Sequence, residues 1–196
     1  MKSIVLSICV AVAFCTPAMA HPQHGFSNAD GLTAGFLHPW LGLDHLLAMF
    51  AVGLLSVRMG RRALWILPSA FVGLMVLGGV IGMRGINLPL AESGIALSVI
   101  VLGAALAAAR NYPLLAAAIA IGTAGMLHGH AHGTEMPAMV TPTLYAAGFV
   151  SATVALHLAG ILAGKWLVEN QRRAVTLRLF GAAISCAGLL LLLGAI

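Results

Sequence analysis

From residue 31 onward the chain is a succession of long apolar runs, with most of its charges confined to the short breaks between them. Crossing the hydrocarbon core of a bilayer takes about 20 helical residues. No water is present there to satisfy an exposed backbone, so runs of this length fold as helices. Six runs are expected, at about 32–57, 63–82, 90–109, 114–129, 141–163 and 175–195. Only 8% of the residues are charged, against about 25% in ordinary globular domains, and the mean hydropathy is +1.03. The expected fold is an all-α membrane protein, with six transmembrane helices forming a single domain over residues 21–196.

Residues 1–20 read as a cleaved secretory signal peptide. Lys2 supplies the basic start, Ile4 to Phe14 the apolar stretch, and Ala18-Met19-Ala20 the small-residue cleavage site. Cys9 and Cys15 leave with that segment, so Cys186 alone remains and no disulfide or thiolate cluster is available. The net charge of +5 does not call for a nucleic acid, because its placement follows the membrane. With the mature N-terminus outside, Arg58, Arg61, Arg62, Arg110, Lys165, Arg172, Arg173 and Arg178 fall on the inner side and only Arg84 on the outer. That asymmetry is the positive-inside pattern. The G-x-x-x-G pairs Gly31/Gly35, Gly78/Gly82 and Gly160/Gly164 read as close helix packing.

Against this background two polar clusters stand out. The first run carries His38, Asp44 and His45, and a carboxylate near the middle of a membrane helix costs roughly 2.5–3.5 kcal/mol on insertion scales. His and Asp are ligands for divalent transition metals. On a straight helix His38 and His45, seven residues apart, would be separated by about 10.5 Å along the axis. Pro39 is therefore expected at the first helical position, leaving His38 at the cap or in the preceding loop and free to fold toward Asp44 and His45. Gly42 permits further bending or close backbone approach. The second cluster is His128, His130, His132 and Glu135. Its alternation with glycines suggests an extended or irregular segment lining a cavity. Both clusters fall on the outer side of the charge-derived topology. Further candidate ligands are Met49, one turn below His45; His157, within the fifth run; and His21 and His24, on the mature N-terminal arm. Glu92 reads as interfacial.

His38-x5-Asp44-His45, set in Gly35-Phe36-Leu37-His38-Pro39 and Gly42-Leu43-Asp44-His45-Leu46-Leu47-Ala48-Met49, resembles the first signature of the HupE/UreJ family. The family's second signature, Phe-His-Gly-x-Ala/Val-His-Gly-x-Glu, is matched by Leu127-His128-Gly129-His130-Ala131-His132-Gly133-Thr134-Glu135. Leu127 stands where the family has Phe, and His130 fills the variable position. The family comprises bacterial inner-membrane proteins associated with hydrogenase and urease gene clusters and regarded as nickel permeases. The resemblance implies Ni²⁺; the residues unaided indicate a His/carboxylate site for a borderline divalent ion.

The expected function is an inner-membrane permease for Ni²⁺, possible substrates including Co²⁺ and other transition metals. The outer His cluster would capture the ion, and His38, Asp44 and His45 would admit it, the two forming either one site or two in series. The ion would be cargo, with no permanently bound cofactor, and the bilayer would be the other partner. No nucleotide-binding motif is present, nucleic acid is not implied, and the oligomeric state is open. Alternative readings are a membrane-embedded metal-dependent enzyme with Glu135 as base, and a haem-binding electron carrier with axial His45 and His157. The charge asymmetry predicts that the mature N- and C-termini are both periplasmic. A C-terminal fusion to a reporter active only in the cytoplasm should be silent; full activity would contradict the topology.

Overall fold

The computed structural model describes residues 31–168 and 171–196. The expected signal peptide and the arm bearing His21 and His24 lie outside the described residues. Among the described residues seven helices follow one another: α1 (Gly31–Leu41), α2 (Leu43–Met59), α3 (Ala63–Met83), α4 (Ala91–Ala108), α5 (Leu114–Glu135), α6 (Pro142–Val168) and α7 (Gln171–Leu192). Among the described residues there is no strand.

The helices α3 to α7 give five segments long and apolar enough to cross a membrane, and the chain is a multi-pass membrane protein. Leu74, Leu77, Leu115, Ile119, Leu158 and Leu162 are exposed on these helices. An apolar surface of that extent is matched by lipid and not by water. Two expectations are corrected. The run at 32–57 is not one straight helix but two, α1 and α2, which meet at Gly42 with a bend of 81°. It supplies a sixth crossing only if both arms count as one span. The fourth run does not stop at residue 129 or give way to irregular backbone; α5 stays helical through Glu135.

The basic residues gather at one end of the bundle. The Arg58 guanidinium at the end of α2 donates to the Arg110 carbonyl beyond α4 at 3.5 Å, and Arg178 Nε near the start of α7 donates to the Ala107 carbonyl at 3.0 Å. The half of the bundle beneath them is closed by Leu54, Leu67, Leu106 and Leu177, none more than 2% exposed. Exposed Trp65 lies near this end and exposed Trp40 near the other, as in the aromatic belts of membrane proteins. Arg84 and both histidine clusters occupy the half away from the basic end.

Backbone contact sets the orientation of α5. A Cβ added at Gly125 would collide with the Phe71 carbonyl, one at Gly129 with that of Met75, and one at Gly133 with that of Gly79. From the other side, Gly78 lies against the Met126 carbonyl and Gly82 against that of His130. Residues four apart share a helix face, so Gly125, Gly129 and Gly133 form a strip that α3 follows in parallel. Small residues allow this approach, which favours association through dispersion contacts in lipid. The same device seats α1 on α6, where Gly35 meets the Tyr145 carbonyl and Gly148 the Leu32 carbonyl.

Gly129→Val should therefore separate α3 from α5 and sharply reduce the yield of monodisperse protein in detergent. Gly73→Ala, whose added methyl meets nothing within 4 Å, should leave that yield unchanged. Equal behaviour of the two variants in size-exclusion chromatography would contradict the seam.

Candidate functional site

The site begins at the break between α1 and α2. Pro39 lies inside α1 and not at a helix start, so His38 is a helical residue and not the expected cap. What brings His38 and His45 together is the turn at Gly42, whose backbone is extended at φ −87°, ψ 113°. Any residue could adopt those angles. Space favours glycine, since an added Cβ would stand 3.0 Å from Asp44 Oδ1 and 3.1 Å from His45 Nδ1, and the pair would have to give by a few tenths of an ångström. The bend brings the His38 and His45 ring centres to 6.1 Å.

Asp44 and His45 form a tight pair at the start of α2. Asp44 Oδ1 accepts from the His45 backbone N–H at 2.8 Å and lies 2.5 Å from His45 Nδ1. A carboxylate can only accept, so Nδ1 carries the ring proton and Nε2 keeps a lone pair. That Nε2 is buried and has no hydrogen-bond partner.

Because α5 remains helical, its three histidines do not act alike. His128 and His132 are one turn apart and share a face, while His130 is turned away by about 200° at 100° per residue. The His132 ring centre lies 4.2 Å from that of His45 and 4.6 Å from that of His38. The His128 ring centre lies 4.7 Å from that of His45. His130 Nε2 instead donates to the Ile86 carbonyl in the α3–α4 connection at 2.8 Å. Glu135, exposed at the end of α5, places Oε2 3.6 Å from His38 Nε2. The two clusters, far apart in the chain, are one contiguous group.

These groups form a graded line. The Glu135 side chain is 55% exposed and that of His38 32%; His45 is buried, and His128 lies deepest at 0%. A cleft between α3, α5 and α6, lined in part by Met83, Met136, Tyr145 and Phe149, reaches His132. Below His128 the Phe71 ring intervenes, 5.7 Å from His128 and 5.2 Å from His157. Met49 is fully buried in the apolar core. Glu92 is exposed, consistent with an interfacial position.

Nine buried side-chain nitrogens and oxygens among the described residues have no hydrogen-bond partner, and seven of them are imidazole nitrogens of His45, His128, His130, His132 and His157. A buried polar atom left unpaired costs about 1–3 kcal/mol, and native structures keep few of them. Their concentration on one residue type leaves buried imidazole nitrogens of the kind that can donate a lone pair. Among the described residues no group of three or more His, Cys, Asp or Glu side chains is placed to hold a metal ion together. The arrangement is a row of neighbouring donors and not a cage. Sequence reading missed two participants. Tyr145 is buried with an unpartnered hydroxyl and lies 6.1 Å from the His38 ring. Ser98 Oγ is 3.1 Å from His128 Nε2. Each is a lone polar residue in an apolar run, with nothing local to mark it.

Comparison with known proteins identifies the family. Residues 9–191 match the family described as HupE / UreJ protein. The chain is 46% identical over 182 residues to "Protein HupE" of Rhizobium leguminosarum bv. viciae, covering 93% of this chain and 94% of that protein. No solved structure matches it. Matched across nearly its whole length, the chain belongs to the HupE/UreJ family.

Proposed function

We propose that this protein is a permease carrying Ni²⁺, or a closely similar divalent transition metal, across the bacterial inner membrane. The observation that carries this reading is the row of buried, unpartnered imidazole nitrogens on His45, His128 and His132. A divalent cation accepts lone pairs from several such donors at once, and imidazole with carboxylate suits nickel, cobalt, copper and zinc alike. HupE/UreJ is a transport and accessory family, which favours a carrier over a catalyst.

In this reading Glu135 and His38 meet the hydrated ion at the exposed end, with His21 and His24 as further capture groups. His132 and His45 replace part of its water, and His128 receives it at the bottom of the line. Asp44 contributes negative charge and orients His45 through Nδ1, the indirect role that carboxylates commonly play behind a metal-binding imidazole. Neighbouring pairs suit passage better than a cage would, because an ion must bind well enough to enter and weakly enough to leave. His157 and Met49 lie deeper and would line the remaining path. The positive-inside rule assigns the basic end to the cytoplasm, so the histidines face the periplasm. Movement inward would be drawn by the membrane potential, about 4.6 kcal/mol for a divalent ion at 100 mV.

The alternatives receive less support. A hydrolase would use Glu135 as base, yet that carboxylate lies beside His38. A haem would need His45 and His157 facing one another, whereas the ring neighbours of His45 are His38, His128 and His132 and that of His157 is Phe71.

Radioactive nickel uptake at matched membrane levels tests the reading. His45→Ala and His132→Ala should each reduce uptake at limiting nickel by at least about tenfold, the equivalent of about 1.4 kcal/mol. His130→Ala should stay within about twofold, since His130 is turned toward the Ile86 carbonyl. Loss in His130→Ala equal to that in His132→Ala would contradict the assignment.

Excess nickel separates one site from two. Were the clusters in series, a high concentration would rescue an outer-cluster variant such as His132→Ala but not Asp44→Ala. As members of one contiguous group, the two should respond alike across a nickel titration. Selective rescue of His132→Ala would restore the serial scheme.

A further inference from the structure

We propose that Ser98 is a positioning residue that selects the tautomer of His128, and thereby makes Nδ1 the nitrogen that meets the ion. This deepens the permease reading and rests on it for the ion alone. Ser98 is buried within α4, and its Oγ lies 2.7 Å from the Ile95 carbonyl oxygen and 3.1 Å from His128 Nε2. A hydroxyl has one proton, and a carbonyl has none to give. The Ser98 proton therefore goes to Ile95, and Ser98 can offer His128 only a lone pair. His128 Nε2 must carry the ring proton in the neutral imidazole, and Nδ1 keeps the free lone pair. That Nδ1 is buried and unpartnered, in a ring whose centre is 4.7 Å from that of His45.

The two rings are thus set in opposite senses by groups outside the line. Asp44 accepts a hydrogen bond from His45 Nδ1–H and leaves Nε2 bare; Ser98 accepts one from His128 Nε2–H and leaves Nδ1 bare. A serine in a membrane helix satisfies itself by bonding to its own preceding turn, as Ser98 does with Ile95. Its contact with His128, 30 residues away, is not needed for that purpose. The consequence is an asymmetric pair. A carboxylate strengthens His45 as a donor more than a neutral hydroxyl can strengthen His128, so His128 is the weaker donor and the better one from which to release an ion.

The test uses the full chain in detergent, labelled with ¹⁵N-histidine, with the His128 signals assigned by their loss in His128→Gln. In the metal-free wild type, long-range proton–nitrogen spectra should show His128 protonated at Nε2 and bare at Nδ1. Ser98→Ala should abolish that preference and weaken Ni²⁺ binding by about 10–100-fold in calorimetry, the range typical of groups that orient metal ligands. Ser98→Thr, which keeps the hydroxyl, should retain both properties. A wild-type His128 protonated at Nδ1 would overturn the proposal, whether or not Ser98→Ala folds. So would a Ser98→Ala protein with unchanged tautomer and affinity, or a Ser98→Thr protein as impaired as Ser98→Ala. Absence of Ni²⁺ binding to the wild type, with the tautomer as expected and lost in Ser98→Ala, would uphold the control by Ser98 and overturn the permease reading instead.

Discussion

The contact of the α3 and α5 backbones along Gly125, Gly129 and Gly133 is the constraint on which the site depends. In lipid there is no hydrophobic drive to bring helices together, so close approach through small residues carries much of the association. Once that strip is committed to α3, the rotation of α5 is set. His128 and His132 then face α2, and His130 faces the connection after α3. Any larger residue on the strip would move α5 away and turn the imidazoles with it.

A second constraint acts at Gly42. The bend there folds α1 back over the start of α2 and places His38 within reach of both His132 and Glu135. Without it, the periodicity of a straight helix would keep His38 and His45 two turns apart. Bend and seam meet at the Asp44–His45 pair, and the row of donors from Glu135 to His128 results from their combination. Leu54, Leu67, Leu106 and Leu177 close the half of the bundle toward the basic end, and the imidazoles are grouped toward the opposite end.

Much of this was legible in the chain itself, for identifiable reasons. Run length reports directly on bilayer thickness, so the helices fall close to where hydropathy puts them. The His/Asp residues stand out because they are costly in lipid. The reading failed where two local signals competed. Alternating glycine and histidine from His128 to Gly133 suggested irregular backbone, while Gly125-x3-Gly129-x3-Gly133 is a helix-packing repeat over the same residues. Preferring the helical period would have foretold that His128 and His132 act together and His130 apart. Gly42, four residues beyond His38, was legible as a place where the chain can bend; what misled was Pro39, which suggested the helix start. Ser98 and Tyr145 were not legible, since their significance lies in partners brought close only by the fold.

The central claim is that a divalent ion is held by imidazoles contributed from both clusters at once. X-ray absorption at the nickel edge, on the purified full chain with one equivalent of Ni²⁺, tests it most directly. The account predicts a first shell with the multiple-scattering signature of at least two imidazoles, diminished by His45→Ala and again by His128→Ala or His132→Ala. A shell of oxygen alone, or one unchanged by these substitutions, would contradict it.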